Sequence, residues 1–143
     1  MSELRVGLIT LGVADVPRAT AFYEAVGFTR SSQSVEGSVS FFRGTGTNLA
    51  VWGAAELAAD AELDDAPLPP YRGVSIAMNL PDRETVDATF ARFVEAGGTS
   101  RRAPHETFWG GYTSYVADPD GHLWELAHNP DWPLDERGLP QLP

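Results

Sequence analysis

The chain has no cysteine and no lysine among its 143 residues. Without cysteine there is no thiol nucleophile, no zinc–thiolate site, no iron–sulfur cluster and no disulfide. Without lysine there is no Schiff-base chemistry. All the basic residues are arginine, ten against twenty acids, and the net charge is −10. Such a surface repels nucleic acid and anionic lipid. Arg101-Arg102 is the nearest approach to a basic patch. No apolar run reaches the length of a membrane span. The opening Met1-Ser2-Glu3 lacks the basic start and apolar core of an export signal. The expectation is a soluble, cytoplasmic protein with neither nucleic acid nor membrane as partner.

Hydrophobic residues at 43% and charged residues at 21% suit a folded globular domain rather than a disordered segment. A chain of this length buries roughly two-thirds of its unfolded surface and needs no covalent staple.

Residues 5–13 are β-branched and aliphatic and predict a strand. Asp15 then fits an N-cap and Pro17 the first helical turn. Ala19, Phe22, Tyr23 and Val26 recur at helical spacing, and Gly27 ends the helix. Strands follow at about 28–34, 38–43 and 47–52. An acidic, alanine-rich and then proline-rich connector covers 53–71, with a short helix at 54–60. The order then repeats. Residues 72–80 predict a strand, and Asp82 caps a second helix whose stripe is Val86, Phe90, Phe93 and Val94. Strands are expected at about 99–103, 112–117 and 122–128, the last two joined by Asp118-Pro119-Asp120-Gly121. A proline-rich tail fills 129–143. The chain therefore carries one βαβββ pattern twice, as module one (5–52) and module two (72–128) of a single α+β domain spanning 1–143.

Aligning the repeats lays Leu8 through Asp15 over Ser75 through Asp82. Ile9, Leu11 and Val13, like Ile76, Met78 and Leu80, form one greasy face for the module's own helix. The other face is mixed, with Leu8, Thr10 and Gly12 in one copy and Ser75, Ala77 and Asn79 in the other. A mixed inward face predicts a cavity.

Two stretches carry a family resemblance. ITLGVADVPRATAFYEAVGF at 9–28 and YVADPDGHLWELAHNP at 115–130 resemble the opening and closing segments of the vicinal oxygen chelate superfamily. That superfamily includes glyoxalases, bleomycin-resistance proteins and extradiol dioxygenases. The resemblance implies paired βαβββ modules whose mostly antiparallel strands curl around a cavity, with the helices outside, commonly as a homodimer. It also implies a divalent metal held by His or Glu from the first and last strands of both modules. In this chain those positions fall on Leu8, Val51, Ser75 and Glu125, and only the last is a carboxylate. One carboxylate does not make a tight site.

The expected cofactor is therefore none, the alternative being one divalent metal. Glu125 is the candidate base or hydrogen-bond acceptor. If Pro119 and Asp120 are the two central turn residues, Ser114 lies opposite Glu125, and Tyr112 and Val116 share its face. Ser38, Ser40 and Phe42 are the corresponding positions in module one. Trp109, beside Gly110-Gly111, can stack on a flat ligand, and His105 reaches inward from a loop. The candidate ligand-binding residues are Ser75, Trp109, Tyr112, Ser114, Phe42 and His105. Trp52 and Trp124 fit core or interface roles, and His122 and His128 fit hairpin packing. The leading expectation is a metal-free protein that binds a small aromatic or drug-like molecule, as in sequestration or resistance. The alternative is an enzyme of the lyase, isomerase, hydrolase or dioxygenase kind that uses Glu125. A third is an interaction protein with a vestigial cavity.

Overall fold

The computed structural model describes residues 3–142. Met1 and Ser2, part of the export-signal reading, and Pro143 of the tail lie outside the described residues. The chain forms two compact units, one running to Pro67 and the other starting at Leu68.

The first unit contains β1 (Leu8–Val13), α1 (Val16–Val26), β2 (Thr29–Arg30), β3 (Val39–Arg43), β4 (Asn48–Gly53) and α2 (Ala54–Asp60). Its sheet has the order β1-β4-β3-β2, with β1 parallel to β4 and the other pairs antiparallel. The Asp15 side chain caps α1 by accepting from Arg18 N at 3.0 Å, and Gly27 closes it at φ 113°. Leu11 and Val13 are buried with Ala19, Phe22 and Tyr23. Tyr23 meets Phe28 and Phe42 at 5.7 and 5.8 Å between ring centroids. The greasy face of β1 is thus the α1 face, as its alternation predicts. The expected strand over 28–34 pairs only at Thr29 and Arg30. Beyond them the chain turns, with Ser34 N bonding Ser31 O and Val35 bridging to Val39.

Part of the 53–71 connector packs on the first sheet. Its short helix α2 lies over Gly12, on the side of β1 opposite α1. A Cβ at Gly12 would stand 3.2 Å from Ala54 Cα and 3.4 Å from Leu57 Cδ2. Glycine permits that approach.

The second unit contains β5 (Ile76–Asn79), α3 (Arg83–Glu95), β6 (Thr99–Glu106), β7 (Tyr112–Ala117) and β8 (Leu123–His128). Its sheet order, β5-β8-β7-β6, repeats the first, and β5 runs parallel to β8. Asp82 caps α3 through Thr85 N at 2.7 Å and Thr85 Oγ1 at 2.6 Å. Phe93 and Val86 of α3 are fully buried, and Phe93 meets Trp124 at 5.9 Å. The expected strand over 72–80 is shorter because residues before Ile76 leave the ladder. Arg72 instead reaches the β7–β8 turn, donating to Asp120 O at 2.6 Å and to His122 Nδ1 at 2.9 Å.

Candidate functional site

The β7–β8 turn fixes which side chains share a face. Asp118 N bonds His122 O at 2.9 Å, and Gly121 sits at φ 86°. Pro119, Asp120 and Gly121 therefore form a three-residue loop, a type I turn followed by a left-handed glycine. This adds one residue to the two-residue loop expected from the sequence. Tyr115, not Ser114, pairs with Glu125, and Ser114 pairs with Leu126.

That shift corrects several expectations, because a slip of one residue reverses every side chain. Ser114 is fully buried, with its Oγ donating to Leu126 O at 3.1 Å. Tyr112 docks on α3, where its hydroxyl donates to Asp87 Oδ1 at 2.7 Å and Arg83 lies over its ring at 5.1 Å. Asp87 and partial desolvation hold the Tyr112 phenol above the usual tyrosine range. Phe42 is a core residue of the first unit, 1% exposed, rather than a cavity wall. Ser40 is also buried and bonds Thr20 Oγ1 of α1 at 2.7 Å.

The Glu125 face is built from other residues. Tyr115 OH donates to Glu125 Oε2 at 2.9 Å, and Thr113 Oγ1 donates to the same oxygen at 3.3 Å. Among the described residues, Oε1 has no hydrogen-bond partner. Glu125 is half-buried. Desolvation first, and then the carboxylate beside it, push the Tyr115 phenol up, so it keeps its proton and donates. The result is a held carboxylate with one oxygen saturated and one available as an acceptor.

His105 belongs to β6, not to a loop, and pairs with Thr113. Its Nδ1 lies 2.9 Å from Ala103 O. A carbonyl only accepts, so neutral His105 carries its proton on Nδ1 and presents Nε2 as an acceptor. Ser75 is exposed and precedes β5. Trp109 sits at the tip of the β6–β7 hairpin, 44% exposed, with its ring folded over Gly111. His122 Nδ1 accepts from Arg72, and His128 Nδ1 bonds Leu80 O at 3.0 Å, so both serve the hairpin and strand ends. Trp124 is 3% exposed and belongs to the core.

The first unit has no matching polar row. Thr10 pairs with Ala50, and Ala50 with Phe41. This is the row that Ala77, Glu125 and Tyr115 occupy in the second unit. The family's last-strand position therefore falls on Ala50 rather than Val51, which is buried opposite Leu11. Leu8, Ala50, Ser75 and Glu125 supply one carboxylate, and its Oε2 is already engaged by two hydroxyls. No group of three or more His, Asp or Glu able to hold a metal ion occurs among the described residues. This donor set does not fit a divalent cation.

Two βαβββ units, each a four-stranded mixed sheet backed by a helix, define a paired-module α+β protein with one polar row, in its second module. The chain belongs to the Glyoxalase/Bleomycin resistance protein/Dioxygenase superfamily, whose model matches residues 5–126. It is similar to a glyoxalase-related enzyme from Fulvimarina pelagi, at 32% identity and TM-score 0.87, covering 96% of this chain and 97% of that one. A glyoxalase/bleomycin resistance protein/dioxygenase from Nocardioides is 24% identical with TM-score 0.73, covering 90% and 85%. A lactoylglutathione lyase from Agrobacterium tumefaciens is 23% identical with TM-score 0.69, covering 94% and 100%. The last two likenesses are of fold alone. No curated protein matches the chain. No helix among the described residues is long and apolar enough to cross a membrane.

Proposed function

We propose that the protein binds a small molecule without a metal, using Glu125 as the acceptor that anchors it. One observation carries this reading. The position at which the family resemblance implies a metal ligand is tied instead to Tyr115 and Thr113, with Oε1 left open. A ligand N–H or O–H placed on Oε1 gains a hydrogen bond to a charged group, worth about 1.5–3 kcal/mol. Trp109 remains the aromatic surface for a flat ligand. Phe42 and Tyr112 are committed elsewhere.

A thermal-shift screen of aromatic metabolites and antibiotics, run on the wild type and on Glu125→Gln, tests this. The expected result is a set of ligands that raise Tm of the wild type and lose most of that effect in the variant. Ligands that stabilise both proteins equally would overturn it.

The enzyme reading draws on the same open oxygen, since a held carboxylate beside a protonated phenol can take a proton from a bound substrate. It predicts a turnover that Glu125→Gln abolishes while folding is retained. A cytoplasmic homodimer, with neither nucleic acid nor membrane as partner, completes the proposal. Light scattering on eluted protein tests the dimer.

A further inference from the structure

Strand β6 is irregular in a way that bears on Glu125. Its ladder with β7 starts in register, Thr99 with Ala117 and Ser100 with Val116. One extra residue then shifts it, so that Arg102 rather than Arg101 stands opposite Tyr115. A second shift brings His105 rather than Pro104 opposite Thr113. Pro104 has no N–H to contribute to a ladder, which suits an irregular stretch of an edge strand. Bulges of this kind re-aim side chains and are over-represented next to active sites.

The consequence is specific. Tyr115 and Thr113 are the two residues whose hydroxyls hold Glu125. Arg102 and His105 are their cross-strand partners on β6. Paired residues on neighbouring strands project to the same side of a sheet. The two shifts therefore set a guanidinium and an imidazole on the Glu125 face. Without them, Arg101 and Ala103 would hold those places. Among the described residues Arg102 has no carboxylate partner, although acids outnumber bases two to one in this chain. Arg102 is exposed, and its charge acts on the Tyr115 phenol.

We infer that Arg102 is a specificity-determining residue of the Glu125 face, and that the site takes a small carboxylic acid bearing a hydroxyl or N–H at its other end. The inference rests on the reading of Glu125 as a ligand acceptor. Arg102 and Glu125 lie two strands apart, about 10 Å across the sheet. That span is of the order of the length of a small aromatic or short-chain acid. The planar guanidinium receives a carboxylate through two parallel N–H donors. Glu125 Oε1 accepts from the donor end.

Three matched probes test this by titration calorimetry: 4-hydroxybenzoate, benzoate, which lacks the donor, and 4-hydroxybenzamide, which lacks the charge. The wild type should bind 4-hydroxybenzoate about tenfold or more tighter than either of the others. Arg102→Gln should erase the advantage over 4-hydroxybenzamide and keep the advantage over benzoate. Glu125→Gln should do the reverse. Equal binding of 4-hydroxybenzoate and 4-hydroxybenzamide by the wild type would overturn the role of Arg102. The Glu125 reading would survive that result if the hydroxyl preference persists and disappears in Glu125→Gln. Binding of all three probes unchanged by Glu125→Gln, or no binding by a wild type whose circular dichroism is intact, would overturn both.

Discussion

Tyr115 stands directly across the β7–β8 ladder from Glu125 and donates its hydroxyl hydrogen to Oε2 at 2.9 Å. This pair turns a position associated with metal binding in the family into a hydrogen-bonded carboxylate. A cation bridging both Glu125 oxygens would compete with the phenol and the Thr113 hydroxyl for Oε2.

The phenol should report the pair. Burial and the neighbouring carboxylate hold Tyr115 above the usual tyrosine range. An ultraviolet titration of the wild type should therefore show late-ionising tyrosines, of which Tyr115→Phe removes one and leaves Tyr112. Glu125→Gln should move the Tyr115 ionisation down, because the negative neighbour is gone. An unchanged titration in Glu125→Gln would show that the two groups do not interact in solution.

Phe42 and Trp109 should separate cleanly by stability. Phe42 is packed among Tyr23 and Phe28, so Phe42→Ala should cost about 3–5 kcal/mol in urea unfolding. Trp109 is half-exposed at a hairpin tip, so Trp109→Ala should stay within about 1 kcal/mol. Comparable losses would place Trp109 in a core.

Gly111 lies under the Trp109 ring, and a Cβ there would fall 1.9 Å from Trp109 Cζ3. Gly111→Ala should swing the indole outward into water. A red-shifted emission relative to the wild type is expected, with little change in far-ultraviolet circular dichroism. An unshifted spectrum would contradict the stacked position.

Asp82 supplies a pH test of the α3 cap. The Thr85 hydroxyl and backbone N–H bonded to its carboxylate hold it below the usual carboxylate range. A depressed folded-state value stabilises the fold above the unfolded value and loses that effect as pH falls through the folded one. Asp82→Ala should therefore lower Tm at neutral pH, and the gap to the wild type should close under acid conditions below the ordinary aspartate range. A gap that widens in acid would reverse the sign.

The fold was legible because its signals are local. Asp15, Gly27 and Asp82 are caps that read directly from sequence and act as caps. The alternation of Ile9, Leu11 and Val13 selects one face without knowledge of any partner. The short helix at 54–60 also appears where its alanines place it. The site was less legible because it depends on pairing between strands. Asp118-Pro119-Asp120-Gly121 reads as a two-residue loop if Gly121 merely follows the turn. It reads as a three-residue loop if Gly121 is the left-handed residue, and that choice exchanges Ser114 for Tyr115. A left-handed glycine at that position was the available signal. The bulges that select Arg102 and His105 leave no comparable mark beyond Pro104.

The most direct test of the account is titration calorimetry of zinc, nickel, manganese and iron(II) into untagged protein, with Glu125→Gln alongside. No stoichiometric binding that depends on Glu125 is expected, because that carboxylate is held by Tyr115 and Thr113 and, among the described residues, belongs to no group of three or more His, Asp or Glu able to hold a metal ion. One equivalent of metal bound by the wild type and lost in Glu125→Gln would contradict it.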